Sequence, residues 1–133
     1  MRTSPDAVGA PPGPMKRPSR LRSNQDFQRV RREGHSWSHP LLVLSARANG
    51  LPFSRFGFSV SRRIGKATAR NKARRRMREA VRRRREHILP GRDLVLIARA
   101  PIREASYHQV DRAIEVLLAR GNLLQGDAGQ QRA

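Results

Sequence analysis

Between Arg62 and Arg85 the chain places 13 Lys or Arg residues in 24 positions and a single acid, Glu79. Guanidinium forks and ammonium groups at this density suit one kind of chemistry, the binding of phosphate oxygens. Spacing gives the run a shape. At 100° per residue, Ala73, Met77, Ala80 and Val81 fall within an arc of roughly 100°, a stripe that would face a core. Asn71, Arg74, Arg75, Arg78, Arg82 and Arg85 lie opposite, at offsets 0, 3, 4, 7, 11 and 14, with Lys72, Arg76 and Arg83 flanking them. The outcome is a basic ladder about 20 Å long at ~1.5 Å of rise per residue. Arg84 falls on the extension of the core arc, so either the helix leaves its support by that point or Arg84 snorkels.

Most charge runs are simply solvated helix faces. Such faces mix signs, because like charges at i,i+4 destabilise a helix. Here Arg74, Arg78 and Arg82 follow one another at that spacing with Asn71 the only neutral member of the row. A phosphate-binding face explains this better. Engaging about six phosphates would lower affinity roughly a thousandfold between 50 and 200 mM salt.

The rest of the chain must hold this helix in place. It has 133 residues, room for one domain. Its 29 Lys plus Arg against 10 Asp plus Glu give a net charge of +19, which calls for a polyanionic partner, nucleic acid before anionic membrane. There are no cysteines, so disulfide scaffolds, thiolate zinc sites and thiol catalysis are excluded. No apolar run reaches the ~18 residues of a membrane span, and the N-terminus lacks the apolar stretch of a secretory signal. A cytoplasmic protein is expected. Residues 1–19 hold five of nine prolines and read as a disordered extension, with Met15 a candidate start; residues 120–133 read as a flexible tail. The folded domain is then 20–119.

Within it, Ser23 or Asn24 caps a short helix that carries Asp26, Phe27 and Val30 and ends at Gly34. A strand follows over Leu41–Ala48, then a turn at Asn49-Gly50. Phe56, Phe58 and Val60 alternate as a half-buried strand. The basic helix spans about 68–87 and Pro90-Gly91 breaks it. Asp93–Ala98 reads as a central strand, and Val110, Ile114, Leu117 and Leu118 mark a last helix over 106–119. This order gives a sheet with helices packed on it, an α+β domain. The basic helix does not run on into leucine heptads, and no helix-turn-helix spacing is present. A ladder set in a sheet domain favours recognition of RNA by shape over reading of DNA base edges.

The segment Arg55-Phe56-Gly57-Phe58-Ser59-Val60-Ser61-Arg62-Arg63-Ile64-Gly65-Lys66-Ala67, followed by Ala69-Arg70-Asn71-Lys72-Ala73-Arg74-Arg75-Arg76-Met77-Arg78-Glu79-Ala80, closely resembles the bacterial ribonuclease P protein family. Arg70-Asn71-Lys72 is similar to that family's Arg-Asn-Arg motif, and Ser61–Ala67 to its Ser-Lys-Lys-x-Gly-x-Ala. Leu21–Phe27 and Ile97-Ala98-Arg99 also match, so the resemblance covers about residues 20–119. It implies a small α/β sandwich: one mainly antiparallel four-stranded sheet with helices packed on it and a left-handed β-α-β crossover, against the usual rule. It implies an accessory subunit of a ribonucleoprotein that hydrolyses precursor tRNA to give the mature 5′ end, with catalysis carried by the ribonuclease P RNA and its Mg²⁺ ions. No catalytic side chain, no metal ligand of this chain and no obligate protein partner are implied. RNA binding would fall to Arg62, Arg63 and Lys66 before the helix and to Arg70, Asn71, Lys72, Arg74, Arg75, Arg78 and Arg82 along it. Phe27 would lie in a cleft for the 5′ leader of precursor tRNA. There the family often has a second aromatic where this chain has Arg31, and another in the strand that here is Leu41–Ala48. Leader contacts would then rest more on charge and on Arg31 stacking. Ala73 replaces a usual aliphatic residue, which would thin the packing under the helix.

Other signals carry less. Gly65-Lys66-Ala67-Thr68 ends like a P-loop, but Val60 stands where the first Gly is needed. His35 and His39 are four apart in a non-helical stretch with no third ligand near. Asp26, Glu33, Glu79 and Asp93 sit on different elements, without the paired spacing of a two-metal nuclease. Trp37 reads as core or as a strand anchor. Two competing readings remain at this point, a structural ribosomal RNA-binding protein and an autonomous metal-dependent ribonuclease.

Overall fold

The computed structural model describes residues 20, 21 and 23–125. The Pro-rich stretch 1–19 and the residues after 125 lie outside the described residues. The elements run α1 (Asn24–Glu33), β1 (His35–Ser38), β2 (Leu42–Ala48), β3 (Arg55–Ser59), α2 (Ala67–Arg84), β4 (Arg92–Ala98) and α3 (Tyr107–Arg120). The sheet order is β1-β2-β4-β3. Its β1–β2 and β2–β4 pairs are antiparallel and its β3–β4 pair, joined through α2, is parallel. This is the α+β, mainly antiparallel four-stranded sheet expected.

Period-2 alternation divides the sheet into two faces. Leu42, Leu44, Ala46, Phe56, Leu94, Leu96 and Ala98 join the buried side chains of α2 and α3 in the main core. Val95 on the other face forms a smaller cluster with Leu21 and Val30, against which Phe27 and Ile97 pack. Thus α2 and α3 cover one face and α1 the other.

Local chemistry sets the boundaries. Ser23 Oγ accepts the Asp26 N–H at 3.0 Å and starts α1. Gly34 ends it where the chain passes close to β2; a Cβ there would lie 2.1 Å from the Ala46 carbonyl oxygen. A full capping box, Ser106 with Gln109, starts α3. Gly91, at φ +82°, supplies the left-handed turn into β4.

Three expectations need correction. His35–Ser38, read only as a non-helical stretch, is a strand, a four-residue, mostly exposed edge whose polar sequence carries no alternation. The basic helix ends at Arg84, and Arg85–His87 continues as a 3-10 turn. The folded part does not stop at residue 119. Leu123 and Leu124 are buried, Leu89 N–H donates to the Leu123 carbonyl at 2.8 Å, and Leu124 bridges to Ile88. Gly121 lets the chain turn beside the Trp37 ring, so Trp37 packs on the main core there.

Candidate RNA interface

The basic helix is aimed by the segment before it. Ser61 Oγ accepts the Arg63 N–H and opens a 3-10 turn, Arg62–Ile64. Ile64 is buried as a plug, which leaves Arg62 and Arg63 exposed on the outside of the turn. Gly65 adopts φ +146°, accessible only at cost to other residues, and α2 begins after Lys66. The first turn of α2 holds no acid. Ala73, Met77, Ala80 and Val81 are buried, the stripe expected from spacing.

The opposite side divides into three parts. Asn71, Arg74, Arg75 and Arg78 form the first, without an acidic partner in any hydrogen bond or ion pair among the described residues. Asn71 Oδ1 accepts from Arg74 Nη1 at 3.1 Å, which fixes the start of the row. Arg78 lies over the Phe58 ring, 5.8 Å from its centroid. Partial burial, together with the charges of Arg20 and Arg74, pulls the Arg78 guanidinium below its usual value. Like charges are therefore gathered here, and Arg20, bridged to Phe56 beside β3, joins them. Arg70, at the start of the row, is half-buried, with its Nε buried and without a hydrogen-bond partner among the described residues.

Arg82 departs from its expected place in a free ladder. Its guanidinium makes two hydrogen bonds to the Glu79 carboxylate, 3.0 and 2.6 Å, one turn earlier. The same contact holds the Glu79 carboxyl below its ordinary range. Beyond it, Arg83 reaches the Tyr107 hydroxyl at 3.4 Å, and Arg84 pairs with Asp111 and approaches Glu115 on α3. Arg84 is thus neither snorkelling to water nor beyond the support of the core. Its charge is matched from α3. The acid-free cations cluster in the first two-thirds of α2.

Lys66 and Lys72 lie apart from that row. With Arg76 and with Arg103, from the 3-10 turn Ala100–Glu104, they line a separate groove between α2 and that turn.

Phe27 and Arg31 belong to the other face of the sheet. Phe27 is half-buried over Gly57, where a Cβ would come within 2.4 Å of its ring. Close approach of the ring requires glycine at this position. Val43, Ile97 and Ser59 share this face by register and are half-exposed. Arg31 is exposed one turn along α1 and lines an open depression of about 390 Å³ with Gln28, Arg32 and Ser36. Ser36 Oγ meets Ser45 Oγ at 2.6 Å. The Phe27 ring and the Arg31 depression thus lie one helical turn apart on α1, an apolar ring and guanidinium donors of the kinds that suit bases and phosphates of a single strand.

The Asp93 carboxylate is committed elsewhere. Asp93 is buried, and receives Arg55 through two bonds of 2.8 Å and Asn49 Nδ2 at 2.9 Å. Burial opposes its charge, but these donors win and keep its carboxyl below the ordinary range. His39, whose value burial and the Arg120 charge push down, accepts the Leu41 N–H on Nδ1. Among the described residues no group of three or more His, Cys, Asp or Glu could hold a metal ion. No helix of the described residues is long and apolar enough to cross a membrane.

The family model for Ribonuclease P matches residues 15–122. This chain belongs to the ribonuclease P protein family. Among curated relatives, the "Ribonuclease P protein component" of Roseiflexus castenholzii is 45% identical over 113 residues, covering 84% of this chain and 93% of that protein. The protein of the same name from Alkaliphilus oremlandii is 36% identical over 110 residues, 83% and 96% of the two chains. The solved Staphylococcus aureus RNase P protein superposes with a TM-score of 0.75 at 32% identity, over 80% of this chain and 98% of that one. The Thermotoga maritima RNase P protein gives 0.67 at 36% identity, over 74% and 94%. A ribonuclease P protein fold and a ribonuclease P sequence thus coincide over the described domain.

Sequence reasoning missed Arg20, Phe58, Arg103, Gln28 and Ser36 as site members. Phe58 was legible only as a strand residue, and its place under Arg78 needs the β3–α2 packing. Arg103 carried no signal, being one arginine among 29 Lys plus Arg.

Proposed function

We propose that this chain binds ribonuclease P RNA through the acid-free face of α2 and the 5′ leader of precursor tRNA through the α1 cleft. It thereby assists the Mg²⁺-dependent removal of the leader that leaves the mature 5′ end. The observation that carries this reading is the row Asn71, Arg74, Arg75 and Arg78, cations gathered with no acid to neutralise them. A solvated surface helix gains nothing from such crowding, whereas a polyanion repays it by releasing counterions. Arg62, Arg63 and Arg70 would extend the contact around the start of α2. Arg82 would contribute less, since Glu79 already competes for its guanidinium.

On the cleft side, Phe27 offers a ring edge for a leader base, and Arg31 offers a planar cation for stacking or for a phosphate. The side chains of this chain hold and orient RNA; Mg²⁺ is supplied to the reaction and kept mainly by the RNA. The residues present do not make a magnesium cage, because Asp93, Glu79 and Asp111 are each engaged by an arginine. The same pairing argues against an autonomous two-metal nuclease. No step of the cleavage is routed through a side chain here.

The test is cleavage of precursor tRNA by the cognate ribonuclease P RNA at low Mg²⁺, with and without the full-length protein. Stimulation is expected, with no cleavage by the protein alone. Absence of stimulation overturns the proposal and leaves a structural RNA-binding role. Cleavage that survives removal of all RNA contradicts it in favour of a protein nuclease.

A further inference from the structure

The groove between α2 and the Ala100–Glu104 turn takes in Lys66 and Lys72, which the resemblance gives to RNA binding, but lies off both the Asn71–Arg78 row and the α1 cleft. It encloses about 350 Å³ and is lined by Lys66, Lys72, Arg76 and Arg103 together with Thr68 and the buried Ile102. Four cations meet there and no acidic residue lines it. Lys66, Lys72 and Arg103 are exposed along its rim, and Arg76 is half-buried and held. Arg76 donates through Nη1 to the Ala105 carbonyl, which draws its guanidinium across the groove toward the turn. The Arg103 guanidinium carbon lies 3.5 Å from where a Cβ on Gly65 would stand, which places it beside the turn that leads into α2. The buried Ala73 also lines it.

We propose that this groove is a phosphate-binding site, distinct from the α2 row, occupied in the ribonucleoprotein by one phosphodiester of the RNA backbone. Lys66, Lys72, Arg76 and Arg103 neutralise the charge, and the Thr68 hydroxyl is available to donate to a phosphate oxygen. The size suits a phosphate with its flanking sugar and not a base pair. The α2 row and the groove lie on different flanks of one helix, so α2 would be gripped by RNA on two sides. This rests on the RNA-binding reading of the chain; the site's phosphate chemistry does not.

Arg103→Gln in the full-length protein tests it, since this residue stands outside α2. The dissociation constant for the cognate ribonuclease P RNA is measured across 50–300 mM salt for wild type, Arg103→Gln and Arg103→Lys. The expected result is a salt slope shallower by about 1 for Arg103→Gln and near wild type for Arg103→Lys. The charge-preserving variant separates lost phosphate contact from lost packing over Gly65. In parallel, inorganic phosphate is titrated into the protein alone, following the backbone amides of Thr68 and Lys72. Shifts present in wild type and absent in Arg103→Gln, with an unchanged RNA slope, assign the groove to a free phosphate-class ligand instead of the RNA. An unchanged slope with no such shifts overturns the proposal. A wild-type protein that binds no RNA but shows the phosphate shifts defeats the RNA-binding reading alone.

Discussion

Asp93 shows how one residue decides the architecture around the cleft. Its carboxylate ties β4 to Arg55 of β3 and to Asn49 of the β2–β3 turn, and Asn49 in turn binds the Phe53 carbonyl at 3.2 Å. With its folded value depressed, its stabilising contribution is complete above the unfolded value, near pH 4, and is lost as pH falls through the lower folded value. Asp93→Asn should cost about 1–3 kcal/mol at pH 7 and flatten the acid limb of the stability curve, as read by urea unfolding between pH 2.5 and 7. An equally steep acid limb in the variant would place the linkage elsewhere. None of this was legible in the sequence, because residues 38 apart carry no periodic signal. Phe27 was legible, through the resemblance and its helix position. Phe27→Ala in the assembled ribonucleoprotein should weaken binding of leader-bearing precursor by about 1–3 kcal/mol while binding of leaderless tRNA stays constant. Equal losses for both substrates would reduce Phe27 to a packing residue.

At the scale of elements, α2 was the most readable part of the chain. A 3.6-residue period placed Ala73, Met77, Ala80 and Val81 inward, as they are. What the period could not supply was partner choice. Glu79 stands three residues before Arg82, a spacing visible in the sequence, but only the rotamers show that it captures Arg82 doubly. The acids of α3 that meet Arg84 are 27 and 31 residues away and gave no sign. Strand β1 was missed because an exposed edge of His, Ser, Trp and Ser has no apolar face to alternate. Leu123 and Leu124 were missed because glycine and polar residues surround them. The α1–β2 approach makes a direct prediction. Gly34→Ala puts a methyl carbon against the Ala46 carbonyl, and backbone cannot yield as a side-chain tip does. A loss on the order of 2 kcal/mol or more is expected in thermal or urea unfolding. A neutral result would mean that α1 can shift on the sheet without cost.

For the whole molecule, the net charge of +19 is distributed with a purpose. Among the described residues, Asp93, Glu79 and Asp111 serve as structural partners for Arg55, Arg82 and Arg84. Cations without an acidic partner crowd the early part of α2, the turn before it and the groove beside it. The sheet separates this basic side from the α1 cleft, and Arg20 stands at the β3 edge between the two. On the proposed function, such a layout would let one small domain hold two RNA segments at once. The central claim is that the α2 row contacts RNA phosphates. It is tested most directly by the salt dependence of affinity for the cognate ribonuclease P RNA, compared between wild type and Arg74→Ala/Arg78→Ala. Weaker binding and a slope shallower by about 2 are expected, one for each lost phosphate contact. An unchanged slope would contradict it, because the row would then not touch phosphate.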